Sequence, residues 1–100
     1  MNTRRVHDQM RQRFPPIEHA RREWGVVADS HQIEALMTEY VRSSDALVEV
    51  HRKLGALLPI REAARFAAAH IGEGEIRIAD REFSGFVVVA QNGVATGWRM

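Results

Sequence analysis

Apolar residues recur at alternating steps of four and three through Ile33, Met37, Tyr40, Leu47, Leu54 and Leu58, and Ser44 and His51 fill two positions of the same stripe. That spacing predicts one amphipathic α-helix over residues 29–58, a rod of about 45 Å. Leu36, Val41, Val48 and Leu57 widen the stripe, while Glu34, Glu39, Arg42, Asp45, Glu49, Arg52 and Lys53 fall on a solvated side. Asp29 is placed to cap the first turn, with Gln32 completing a capping box, and Gly55 and Pro59 mark the end of the rod. In Arg42-Ser43-Ser44-Asp45 three side chains compete for backbone hydrogen bonds, so this is where the helix could break. The stripe keeps its phase across the interruption, which predicts continuity.

Shorter elements flank the rod. Val6, Met10 and Phe14 stand four apart and predict a helix that stops before Pro15-Pro16. A second segment follows, with Ile17, Ala20, Arg21 and Trp24 on one face, Trp24 as a core anchor and Gly25 as its end. Over 59–71, Ile60, Ala63, Ala64, Ala67 and Ile71 form a small-residue stripe, and Gly72-Glu73-Gly74 breaks it. The period then changes from helical to alternating. Glu75 to Ala79 reads as a strand, and Phe86–Ala90, Asn92-Gly93 and Val94–Arg99 read as a hairpin with a two-residue type I′ turn. That turn would pair Val89 with Thr96 and Val87 with Trp98. Both hairpin faces are mostly apolar, so one lies on helices and the other is covered by residues 1–24 or is open to a partner.

The expected fold class is therefore α+β. The helical N-terminal two-thirds is organised on one long amphipathic helix, and the C-terminus forms a small antiparallel β-hairpin or three-stranded sheet. One hundred residues fit a single domain: a basic helical arm at 1–28, the long helix at 29–58, a short helix at 59–71 and strands at 75–100.

Composition narrows the chemistry. With 45% hydrophobic and 27% charged residues, the chain belongs with ordinary globular domains. The absence of cysteine excludes disulfides, thiolate catalysis and Cys-ligated zinc. No apolar stretch follows Arg4-Arg5, and the longest apolar run, Phe86–Ala90, is too short to span a bilayer, so a cytoplasmic location is expected. Net charge is only +1, yet Arg4, Arg5, Arg11, Arg13, Arg21 and Arg22 crowd the first quarter. Such an arm suits a phosphate backbone or an acidic protein face. Lys53 is the sole lysine, so guanidinium supplies nearly all the positive charge.

No catalytic signature is present. Ser84-Gly85 lacks a strand-to-helix elbow, the glycines at 72 and 74 are flanked by carboxylates that repel phosphate, and Glu73 and Glu75 read as solvated rather than as an acid/base pair. The five histidines show no metal-binding spacing. No enzyme, cofactor or metal is expected. The expected function is stoichiometric protein binding, with Arg4, Arg5, Arg11, Arg13, Arg77, Phe86, Trp98 and Arg99 as partner-binding residues. Small cysteine-free α+β inhibitors from phages and mobile elements, anti-CRISPR proteins among them, are the class such features suit. A target that itself holds nucleic acid would suit the basic arm. The alternative is a DNA-binding regulator, because a helix, a turn, a helix from Pro59 and a hairpin follow the order of elements in a winged helix. A third possibility is a structural homodimer joined along the long helix.

Overall fold

The described residues, 2–17, 24–27 and 29–100 of a computed structural model, form three helices and six strands. In chain order these are α1 (Thr3–Arg13), β1 (Gly25–Val26), α2 (Ser30–Tyr40), β2 (Asp45–Val50), β3 (Leu54–Pro59), α3 (Ile60–Ala69), β4 (Ile76–Asp80), β5 (Gly85–Val89) and β6 (Val94–Arg99). The long helix expected over 29–58 is not there, and with it goes a mainly helical fold. Its first third is α2, capped as expected by Asp29, whose Oδ1 accepts from the Gln32 amide at 3.0 Å. Ile33, Met37 and Tyr40 carry the true helical stripe and are buried. The chain leaves the helix at Val41, which is extended at φ −92°, ψ 119°. Arg42-Ser43-Ser44 then leads into a β-hairpin instead of bridging two helical halves.

Burial explains the false periodicity. Residues Ala46 to Val50 are all buried, because β2 lies inside the sheet with helices over both faces. A strand covered on both sides is apolar at nearly every position, so any period finds matches in it. His51, assigned to the helical seam, sits exposed in the turn after β2, and Ser44 is exposed before it. Gly55 ends no helix; a Cβ there would press on the Val6 side chain at 2.9 Å, so it marks where α1 crosses β3. The molecule measures 29 × 27 × 23 Å, shorter in every direction than the expected rod.

All neighbouring strands are antiparallel, in the order β1-β6-β5-β4-β2-β3. β4, β5 and β6 follow one another as a meander. α3 carries the chain from the β3 edge over β2 to β4. Helices α2 and α3 pack on one face, where Ile33, Met37, Ala63, Ala64 and Ala67 meet Val48, Ile78, Val87 and Val89. On the other face α1 and the residues after it cover Leu47, Phe86, Val88 and Trp98 with Val6, Met10, Phe14 and Ile17. The second expected helical segment falls largely on residues 18–23, outside the described residues, and Trp24, expected as a core anchor, is 40% exposed.

The last hairpin has a three-residue turn. The Ala90 amide donates to the Val94 carbonyl at 2.8 Å, the Gly93 amide to the Ala90 carbonyl at 2.9 Å, and Gly93 is left-handed at φ +87°. Among residues 91–93 only the glycine has a positive φ, whereas type I′ needs two. The register therefore slips by one: Phe86 pairs with Trp98 and Val88 with Thr96. A slip of one residue exchanges partners across the pleat. It stacks Phe86 and Trp98 side by side at 5.3 Å under α1, with Phe14 edge-on to both.

Candidate functional site

A carboxylate on the inner part of a sheet costs several kcal/mol unless it is paired. Glu49 is such a group: it is 2% exposed on the α1 face of β2. Its Oε2 lies 2.8 Å from Nδ1 of His7, on α1. An ionised carboxylate only accepts, so Nδ1 donates and Nε2 is the ring nitrogen left for a ligand.

Local structure fixes α1 above that carboxylate. Asn2 caps the helix through Oδ1, which accepts from the Arg5 amide at 2.9 Å. The Thr3 hydroxyl donates to the Gly55 carbonyl at 3.0 Å, tying the first turn to edge strand β3. Val6 and Met10 point into the core. His7 and Arg11, one turn apart, then border a recess of about 340 Å³, together with Phe14, Glu49, Arg52 and Arg77. Arg4 precedes His7 by three residues and extends the same helix face.

The sheet supplies the opposite wall. Arg77 on β4 is directly across from Glu49 in the register. Its Nε is 2.6 Å from Glu75 Oε2, and its guanidinium lies 5.4 Å from the centre of the Phe14 ring. Arg52 enters from the β2–β3 turn, closed by the Lys53 amide donating to the Val50 carbonyl at 2.9 Å. His51 and Arg52 are both left-handed, at φ +49° and +60°. For residues with a Cβ this costs about 1–2 kcal/mol each, and such strain concentrates where side chains are held for a purpose. The His51 ring rests on Gly74, where a Cβ would collide with it. A neighbouring recess of about 360 Å³ is bordered by His51 and Glu75 and shares Glu49, Arg52 and Arg77 with the first.

Among the described residues the charge balance favours an anion. Glu49 is taken by His7 and Glu75 by Arg77. Among the described residues Arg52 is exposed and forms no ion pair, and Arg11 pairs with Asp8 alone, at 3.8 Å. Guanidiniums of this kind suit phosphate or carboxylate oxygens.

Of the residues singled out in the sequence, Arg11 and Arg77 come together here. Arg4 and Arg5 lie exposed on α1. Arg13 folds over the Phe83 ring at 4.6 Å and donates to the Glu82 carbonyl at 3.0 Å. Arg99 is on the other side of the sheet, donating to the last carbonyl of α2, Tyr40, at 2.8 Å. Phe86 and Trp98 are 1% and 6% exposed, so they are core residues and not surface anchors. The winged-helix order is absent too, since β3 and not a helix precedes α3. Self-association along a heptad stripe loses its basis, because residues 45–59 pair within the sheet.

Sequence reasoning missed His7, Glu49 and Arg52. Two signals were available: His7 and Arg11 at helical spacing, and Glu49 as the single charge inside Ala46–Val50. Reading that run as helix placed Glu49 in solvent. Among the described residues no helix is long and apolar enough to cross a membrane, and no three His, Asp or Glu side chains cluster as metal ligands. Comparison of the chain with protein-family models, with curated proteins and with solved structures finds no match.

Proposed function

We propose that this protein binds a nucleic-acid backbone at the recess between α1, the β2–β3 turn and β4. The observation that carries the reading is the convergence of Arg11, Arg52 and Arg77 beside a histidine that a buried carboxylate holds in place. Arg4 continues the cationic surface along α1. Affinity for such a ligand comes mainly from displacing condensed counterions, so it falls with salt.

The test is fluorescence anisotropy of labelled single-stranded and duplex oligonucleotides across a salt series. Three phosphate contacts give a log–log slope of about −2 on a single strand, and Arg52→Ala should flatten it by about 0.7. No binding of either oligonucleotide at about 50 mM salt, where phosphate contacts are strong, would remove the reading.

The same guanidiniums also support stoichiometric binding of an acidic protein face, including inhibition of a host complex that handles nucleic acid. Under that reading oligonucleotides bind weakly, and an acidic protein partner competes with them at Arg11 and Arg52.

A further inference from the structure

We propose that the recess cleaves RNA, with His7 as general base and His51 as general acid. This rests on the nucleic-acid reading above and adds a reaction to it. His7 is fixed through Nδ1 by Glu49 at 2.8 Å, while the imidazole remains about a third exposed. A histidine whose tautomer and orientation are set by a carboxylate, with its second nitrogen accessible, is equipped to take a proton from a hydroxyl. The described residues bordering the two recesses include no serine, threonine, cysteine, tyrosine or lysine. The attacking oxygen must therefore come from the ligand or from water. RNA carries its own: the 2′-hydroxyl adjoins the phosphorus, and such intramolecular attack reaches effective molarities of about 10⁵ M or more. DNA has no such oxygen, so a site with a base and cations suits RNA.

The two recesses supply both ends of the displacement. His7 borders one, His51 borders the other, and Arg52 and Arg77 belong to both. A phosphate held by those two guanidiniums would have His7 bordering the recess on one side and His51 the recess on the other. Nε2 of His7 takes the 2′-hydroxyl proton, O2′ bonds to phosphorus, and the bond from phosphorus to O5′ breaks. The departing O5′ takes a proton from protonated His51. The products are a 2′,3′-cyclic phosphate and a 5′-hydroxyl. His7 ends protonated and His51 neutral, and exchange with water restores both. Arg52 and the terminal amino groups of Arg77 face the extra negative charge of the five-coordinate phosphorus. Gly74 allows the His51 ring its place, and Glu49 acts through His7 as a positioning residue.

The experiment incubates the full chain with a labelled single-stranded RNA and with its all-2′-deoxy counterpart, following binding and cleavage separately. We expect both to bind and only the RNA to be cut, leaving 2′,3′-cyclic phosphate ends. His7→Ala should lower kcat by about a hundredfold or more with KM nearly unchanged, and added imidazole should restore part of the rate. Glu49→Gln should lower kcat without rescue by imidazole. RNA that binds but stays intact overturns the catalytic proposal and leaves the binding function standing. If neither oligonucleotide binds, both fall. Cleavage by His7→Ala at the wild-type rate, or 5′-phosphate products, also overturns it.

Discussion

Two buried carboxylates in this protein are handled in opposite ways. Asp80, 0% exposed at the end of β4, accepts from the Ser84 amide through Oδ1 and from the Ser84 hydroxyl through Oδ2, both at 2.8 Å. Its partners lie four residues away, so this pair holds the turn into β5. Asp80→Ala leaves two donors unsatisfied and should cost about 1–3 kcal/mol, read from the denaturant midpoint. Glu49 instead relies on a histidine from a separate layer, at a sequence distance of 42 residues. Removing one member of a buried ion pair destabilises when it strands the other in the interior, but here the buried member is Glu49, and His7, about a third exposed, can turn to water once it is gone. Glu49→Met should therefore leave the melting temperature unchanged or raise it, while abolishing any activity that needs a positioned His7. Arg52→Gly should behave alike: relief of the φ +60° strain adds about 1 kcal/mol of stability, and binding weakens. A loss of stability in both variants would make the recess a structural feature only.

At the scale of elements, legibility followed how completely a segment is covered. α1 and α3 have one buried face and one wet face, and their stripes at Val6-Met10 and Ala63-Ala64-Ala67 stand out in the sequence. β2 is covered on both faces, and its period dissolved into that of α2. In the last hairpin the strands were legible and the register was not. Asn92-Gly93 suits a two-residue turn, yet the structure places Gly93 at the left-handed end of a three-residue loop, with Asn92 Oδ1 accepting from the Val94 amide at 3.3 Å. Gly93→Ala should therefore cost about 1–2 kcal/mol, from the left-handed penalty alone. Asn92→Ala loses one exposed hydrogen bond and should cost about 1 kcal/mol or less by the same measurement. Comparable losses at both positions would point back to the shorter turn and its other register.

The site belongs to the whole molecule, which is why little of it could be read from the chain. His7, Glu49, Arg52 and Arg77 come from α1, β2, the following turn and β4, and only the crossover through α3 sets β4 beside β2. That assembly also makes the site sensitive to how firmly α1 is docked. Both layers bury a cluster against the sheet, but α2 and α3 bring three buried side chains each to theirs, whereas α1 brings Val6 and Met10, the Thr3 contact with Gly55 and the His7–Glu49 pair. A ligand bound between α1 and the β2–β3 turn would bridge helix to sheet. At a concentration about a hundred times its Kd it adds about 2.7 kcal/mol to the folded state, and more of this appears wherever local opening breaks the site. Hydrogen exchange of the full chain with a non-cleavable 2′-deoxy oligonucleotide should therefore slow most at the amides of α1 and residues 50–54. Amides of α2 and α3 that open without moving α1 should slow little. Protection centred on α2 and β6 would place the ligand on the other side of the sheet, and the recess would lose its claim to it.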